Sequence, residues 1–233
     1  MNKILLADDD VELADMLVEY LGLEGFSVDT AYDGKTALNK AESGQYDLVI
    51  LDVMMPELNG FDVLRHLRSH SQVPVLMLTA RGDDVDSIVG LEIGADDYLS
   101  KPCNPRVLVA HMRAILRRSE PGNDNSSLTS EDLQLEDLCL QRGKRRVLIN
   151  NQPVSMTSTE YSVLAVLLEN AGTVVSKQRL SLEALGRELS SYDRSLDMHV
   201  SNLRKKLGSA KDGHDRITTV RGIGYQYMRP SNE

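Results

Sequence analysis

Only two cysteines occur in the 233 residues. Cys103 and Cys139 lie far apart and neither belongs to a metal-ligand spacing, which excludes a disulfide-stapled scaffold and a thiolate metal centre. Long apolar runs are missing too. The longest, Val163-Leu164-Ala165-Val166-Leu167-Leu168, falls far short of the roughly 18 residues that cross a bilayer, so no membrane span is expected. The start of the chain runs from Ile4-Leu5-Leu6-Ala7 straight into Asp8-Asp9-Asp10. It therefore lacks the apolar stretch of about 7–15 residues that marks a secretory signal, and a cytoplasmic protein is expected.

What is present suits an ordinary globular chain: 41% hydrophobic and 26% charged residues, near the soluble average, which excludes disordered and fibrous classes. At about 100–200 residues per domain, the length fits one large domain or two small ones. Charge favours two. Residues 1–118 hold 11 Lys/Arg against 20 Asp/Glu, residues 119–132 none against 4, and residues 133–233 hold 15 against 11. An overall charge of −9 thus conceals a basic C-terminal part, the pattern of a polyanion-binding module attached to something else. Ser119–Ser130 reads SEPGNDNSSLTS, a composition expected of a flexible tether. The alternative is a surface loop, but structureless loops of about 12 residues or more are uncommon inside compact domains. The expected division is 1–118, a tether over 119–132, and 133–233.

Within the first part, Lys3–Ala7, Val28–Ala31, Leu48–Leu51, Val75–Leu78 and Tyr98–Leu99 read as strands alternating with amphipathic stretches such as Leu13, Leu17 and Leu21. That alternation predicts an α/β fold, a doubly wound five-stranded parallel sheet covered on both faces. Ligands of such sheets sit beyond the carboxyl ends of the strands, where the strand order reverses. Those ends carry Asp8-Asp9-Asp10, Asp52, Thr79 and Ser100-Lys101-Pro102. Asp8, Asp9 and Asp52 in one crevice would repel one another by several kcal/mol at low effective dielectric unless a cation intervened. Oxygen-only ligands suit Mg2+, usually bound together with a phosphate. The chemistry that needs this set, with Lys101 and Thr79 beside it, is phosphoryl transfer to a carboxylate. Asp52, after the apolar run Leu48-Val49-Ile50-Leu51, is the expected nucleophile. Helix capping is the competing reading for single aspartates and is expected of Asp10 before Val11.

ILLADDD, LVILDVMMPELNG, VLMLTAR and GADDYLSKP resemble, in order and spacing, the flavodoxin-like receiver domain of two-component response regulators. The resemblance covers residues 1–118. It implies that Asp52 accepts a phosphoryl group from a sensor histidine kinase. It further implies that Asp9, Asp52 and the main-chain oxygen of Met54 hold Mg2+, with Asp8 helping through water, and that Thr79 and Lys101 bind the phosphoryl oxygens. Tyr98 would be an aromatic switch, although on the residues alone a half-buried strand aromatic is the plainer reading. A cis peptide before Pro102 is also implied.

In the basic part, Leu133–Met156 alternates in short runs with Gly143 and Asn150-Asn151 as turn signals, predicting a small antiparallel sheet. Thr157-Ser158-Thr159-Glu160 has the capping-box pattern ahead of a helix. Ser176 is expected to cap a second helix to about Leu185, and a third spans about Asp193–Leu207. On this third helix Leu196, Val200, Leu203 and Leu207 form the core stripe. Arg194, Met198, Ser201, Asn202 and Lys205 fall opposite, flanked by Arg204 and Lys206. Such a face suits a major groove, where Arg and Lys reach guanine or phosphate and Asn pairs with adenine. A solvated charged face is the alternative. Arg221-Gly222-Ile223-Gly224-Tyr225 reads as a hairpin tip whose arginine fits a narrow minor groove.

MTSTEYSVLAVLL, TVVSKQRL, DRSLDMHVSNLRKKL and TTVRGIGYQY resemble the α+β winged helix-turn-helix domain of the OmpR/PhoB class over residues 133–229. DRSLDMHVSNLRKKL and KDGH are most similar to its Cpx-type envelope-stress group. The resemblance makes Asp193–Leu207 the recognition helix on double-stranded promoter DNA, with Thr219 and Arg221 in the wing. Gly186–Tyr192 would meet RNA polymerase. Receivers of this class pair on phosphorylation into a homodimer, and Asp96, Asp97, Arg113, Arg117 and Arg118 match charged positions of the pairing face. Ser87 and Val107 stand where a bridging Arg and Glu are usual, and Cys103 where Phe is common, so a looser dimer is expected. Two other classes compete. A Mg2+-dependent phosphatase with an Asp nucleophile generally carries a second acid two residues on, where this chain has Met54. An adaptor would use the basic module on protein instead of DNA.

Overall fold

The computed structural model describes residues 1–80, 84–119, 132–189, 193–210 and 213–229. The tether expected over 119–132 lies almost wholly outside the described residues. The chain divides into two compact units, Met1–Leu116 and Arg117–Glu233, each described by itself.

The first unit follows the predicted alternation: β1 (Lys3–Ala7), α1 (Val11–Leu23), β2 (Ser27–Ala31), α2 (Gly34–Glu42), β3 (Leu48–Asp52), α3 (Gly60–Arg68), β4 (Val75–Ala80), α4 (Asp84–Ile93), β5 (Asp97–Lys101) and α5 (Pro105–Ser119). All strand pairs are parallel, in the order β2-β1-β3-β4-β5. Successive strand residues serve opposite faces. Ile4, Leu6, Leu48, Ile50, Leu76 and Leu78 pack with Leu17 and Leu21 of α1 and Met112 and Ile115 of α5. Leu5, Ala7, Val49, Leu51, Val75 and Met77 pack with Ala37 of α2 and Val63, Leu64 and Leu67 of α3. Burial on both faces explains why β3 reads as an unbroken apolar run. Asp10 caps α1, accepting from the Leu13 amide at 3.0 Å. Asp33 caps α2 through Thr36 and Asn59 caps α3 through Asp62.

The order changes direction between β1 and β3, which opens the crevice where this class of sheet binds ligands. Ala7 is in register with Leu51, so Asp8 and Asp52 leave neighbouring strands side by side. The Lys101–Pro102 peptide is cis.

The second unit opens with an antiparallel sheet of β6 (Leu133–Leu135), β7 (Leu138–Gln141), β8 (Arg146–Ile149) and β9 (Gln152–Val154). Asn150 and Asn151 both take positive φ, 50° and 63°, as a two-residue hairpin turn requires. Then come α6 (Ser158–Glu169), β10 (Val175–Ser176), α7 (Lys177–Leu180) continued by a π-helical turn Ser181–Leu185, α8 (Ser195–Leu207), and a hairpin of β11 (Ile217–Val220) and β12 (Gly224–Tyr227). The Thr157/Glu160 capping box forms as expected, and Ser176 caps α7. Leu196, Val200, Leu203 and Leu207 are buried in one core with Leu164, Leu167, Leu180, Ile217 and Tyr225. At Gly224 a Cβ would stand 1.9 Å from the Val175 carbonyl oxygen, so only glycine lets β12 close onto β10. The Asp137 carboxylate takes both Arg216 guanidinium nitrogens at 2.9 Å in a nearly sealed bidentate pair tying the β6–β7 turn to β11.

Cys103 and Cys139 are free thiols, half-buried. Burial pushes the Cys103 thiol above its ordinary value, the environment of an unreactive cysteine. Among the described residues, no helix is long and apolar enough to cross a membrane.

Candidate functional site

Each of Asp8, Asp9 and Asp52 offers a carboxylate oxygen within 4.8 Å of the others. β1 delivers the first two and β3 the third, with Asp8 and Asp52 buried and Asp9 exposed. Lys101, at the end of β5, reaches across and places Nζ 2.6 Å from Asp8 and 2.8 Å from Asp52. Burial raises the Asp52 carboxyl above its usual range and the Asp8 charge adds to this. Lys101 pulls the other way by hydrogen bond and charge, as does the Met54 amide. Burial acts to lower Lys101, but hydrogen bonds to Asp52 and Asp8 outweigh it and hold the ammonium above its usual value. One cation thus offsets part of the repulsion of the cluster.

Thr79 is buried one residue beyond Leu78, the register partner of Asp52, and its Oγ1 has no hydrogen-bond partner among the described residues. A buried hydroxyl without a partner costs roughly 1–3 kcal/mol, and here it stands at the mouth of an acidic crevice. All donors are oxygens, one of them solvent-exposed, which fits a hard dication that keeps several waters. Tyr98, opposite Met77 on β4, is half-buried against the α3/α4 side of the sheet. Met54 is exposed.

Gly60 was not legible as a site residue. A Cβ there would lie 2.1 Å from the Asp52 carbonyl oxygen, while the Gly60 amide bonds the Val53 carbonyl at 2.9 Å. The turn after β3 therefore closes on the backbone of Asp52 and fixes it. An Asn-Gly pair is a turn signal that could have drawn attention to this position, although nothing local says what it touches.

On the second unit, Arg194, Lys205, Thr219 and Arg221 are exposed, and Met198 and Ser201 half-exposed. Asn202 corrects the expected face: it is buried and unavailable to a base edge. The buried arc of α8, which packs on α6, is wider than the leucine stripe, and His199 is buried too. Arg204 turns inward to the hairpin, donating to the Ile217 carbonyl and to Thr219 Oγ1, each at 2.8 Å. Lys206 pairs with the buried Glu160 at 2.5 Å.

The expected pairing face is corrected more strongly. Asp96 is fully buried, accepting from the Val75 amide at 3.0 Å and Arg68 at 3.3 Å. Asp97 is buried and holds His111 Nδ1 at 2.9 Å. These carboxylates terminate the β4–β5 region internally and are not surface charges. Arg118, at the end of α5 where the helix runs past the Leu116 limit of the first unit, is buried. Arg113 is exposed and bonded to Glu24 at 2.7 Å, and Arg117 is exposed. Ser87 is buried and Val107 exposed. Of the Gly186–Tyr192 link, Ser190–Tyr192 lie outside the described residues, as do Lys211 and Asp212 of KDGH.

Comparison with known proteins adds the following. Residues 4–113 match the response regulator receiver domain, and residues 151–227 the family described as transcriptional regulatory protein, C terminal. The chain is 50% identical over 236 residues to the transcriptional regulatory protein CpxR of Escherichia coli, covering 99% of this chain and all of that one. Among solved structures it is similar to a RitR mutant, with 26% identity, a TM-score of 0.79 and coverage of 99% and 100%. It is also similar to the response regulator DrrB of Thermotoga maritima, an OmpR/PhoB homolog, with 29% identity, a TM-score of 0.51 and coverage of 98% and 99%.

Proposed function

Because the chain belongs to the response regulators that join a receiver to an OmpR/PhoB-type regulatory domain, and so is a transcriptional regulator of a two-component system, we propose Asp52 as its phosphoacceptor. The observation that carries this is Lys101 Nζ bridging Asp8 and Asp52 beside an unpartnered Thr79 hydroxyl.

In this reading an Asp52 carboxylate oxygen attacks the phosphorus of a phosphohistidine on the sensor kinase. A P–O bond forms, the P–N bond breaks, and the imidazole nitrogen leaves with the electron pair. Asp8, Asp9, Asp52 and the main-chain oxygen of Met54 would hold Mg2+, which supplies positive charge to the phosphoryl oxygens. Lys101 donates to one phosphoryl oxygen, exchanging a carboxylate partner for it, and Thr79 Oγ1 donates to another. Movement of Thr79 toward the phosphoryl group frees space on the sheet face that Tyr98 then occupies. The chain is a phosphorylated switch in which the only chemistry is its own phosphorylation and dephosphorylation. As a phosphatase it would need a general acid at position 54, and an exposed Met54 supplies none.

The output is promoter binding by a cytoplasmic regulator of three parts, 1–118, 119–132 and 133–233. Arg194, Lys205 and Arg221 are the exposed cations that support α8 in a major groove and the hairpin in a minor groove, with Met198, Ser201 and Thr219 alongside. The stretch from Gly186 is proposed to meet RNA polymerase. In gel shifts on a cognate promoter fragment, affinity is expected to fall steeply with salt, and Arg221→Ala to reduce the log–log slope by about 1. Binding insensitive to salt would favour the protein-binding adaptor instead.

Phosphorylation promotes homodimerisation of the receiver. With Asp96 and Asp97 engaged internally, Arg113 held by Glu24, and Ser87 and Val107 in place of a charged pair, the dimer is expected to be looser than is usual for the class. Analytical ultracentrifugation with beryllofluoride should show reversible association across micromolar protein; a species that stays monomeric throughout would remove dimerisation from the mechanism.

A further inference from the structure

The last turn of α3 and the residue just past its cap carry two exposed histidines four residues apart, His66 and His70. His70 follows the helix end, but the chain is still winding there, with the Ser71 amide bonded to the Leu67 carbonyl four residues back at 2.8 Å. The Ser69 amide bonds the His66 carbonyl and the His70 amide the Leu67 carbonyl, both at 3.1 Å. Residues at i and i+4 stand one above the other, with Cβ atoms about 5–6 Å apart.

Hydrogen bonding fixes both tautomers. His66 Nδ1 lies 2.7 Å from the Asp62 carbonyl oxygen, and a carbonyl only accepts, so Nδ1 carries the proton. Ser69 Oγ donates to the His66 carbonyl at 2.5 Å, so toward His70 Nδ1, at 2.8 Å, it accepts. The same Nδ1–H faces the His66 carbonyl oxygen at 3.2 Å. With Nδ1 as the donor in each ring, the neutral imidazole keeps its lone pair on Nε2, and neither Nε2 has a partner among the described residues. An imidazole whose Nδ1–H is anchored to a backbone carbonyl, leaving Nε2 bare, is the arrangement by which proteins prepare histidine for a metal. The carbonyl end of the helix adds a negative potential. Asp62 is occupied by Asn59 at 2.8 Å and Arg65 at 2.6 Å, which also offsets the nearest positive charge.

We infer that His66 and His70 form a two-imidazole site for a late first-row transition dication, with water completing the shell. Nitrogen donors select Cu2+, Ni2+ and Zn2+ over Mg2+, and affinity should follow Cu2+ > Ni2+. The site is separate from the all-oxygen cluster at the strand ends, whose ligands favour hard ions.

The test is electron paramagnetic resonance of the full-length protein with one equivalent of Cu2+ in millimolar Mg2+, alongside calorimetric titration with NiCl2. The expected signal is a copper centre with two equatorial nitrogens. His66→Gln and His70→Gln should each abolish the two-nitrogen pattern and weaken Ni2+ binding at least about tenfold, while phosphorylation by an acyl phosphate continues in both variants. A spectrum unchanged by either substitution, a single-nitrogen centre in the unsubstituted protein, or no Ni2+ binding at millimolar metal would overturn the inference. Failure of Asp52 phosphorylation would leave it untouched, since no residue is shared.

Discussion

Asp52→Ala should abolish phosphate uptake from a small acyl-phosphate donor, leaving label incorporation at background. The expectation follows from the position of the carboxylate at the crevice floor, buried, with Lys101 Nζ at 2.8 Å. Without it no oxygen of comparable nucleophilicity stands at the same point, because Asp8 is turned to Lys101 at 2.6 Å and to the Asp10 amide at 3.1 Å. Lys101→Met keeps the nucleophile and removes the cation, so it should slow uptake without eliminating it. The fold should survive Asp52→Ala, since removing one of three clustered carboxylates relieves repulsion and Asp8 still pairs with Lys101. Far-ultraviolet dichroism and thermal unfolding check this. Incorporation continuing at the original rate in Asp52→Ala would overturn the assignment of the site.

The second large effect is on stability. Asp137→Ala should destabilise the C-terminal unit by about 3–5 kcal/mol, because it leaves a buried guanidinium unpaired. Burial alone would lower Arg216, but its hydrogen bonds to Asp137 and Tyr227 more than offset this and hold it above its ordinary value. The charge does not leave when the carboxylate does, since arginine stays protonated in proteins. At about 4–8 °C per kcal/mol for a unit of this size, unfolding should shift by more than about 10 °C. The paired replacement Asp137→Leu with Arg216→Met removes both charges and should recover most of the loss, as sealed ion pairs are often no better than apolar residues of similar volume. Urea unfolding of the two variants, followed through the transition of that unit, separates the effects. Equal losses in both would mean that packing, not charge, governs the position.

Much of this was readable from residues alone. The five strand positions and the acidic tips follow from runs of β-branched and leucine residues that end in aspartate, threonine or lysine. The capping box at Thr157 and the turn at Asn150-Asn151 depend on neighbours within four residues, so local pattern sufficed. What was misread depends on distant packing. Asn202 looked outward because helical periodicity measures angle, not how widely a helix is covered, and on α8 burial extends beyond the leucine stripe to His199 and Asn202. Asp96 and Asp97 looked like surface charges, yet one receives Arg68 from α3 and the other His111 from α5, partners 28 and 14 residues away. The approach of Gly60 to the Asp52 carbonyl arises from a fold that no short window contains.

The three groups that meet in the crevice come from the tips of β1, β3 and β5, which begin at Lys3, Leu48 and Asp97. No stretch of the polypeptide emerging from a ribosome contains that constellation, and its closing member, Lys101, follows nearly all of the sheet. The cluster and its cation therefore come together only when the fifth strand joins the sheet, and a chain that stops short of β5 leaves the Asp8 and Asp52 charges without Lys101 between them.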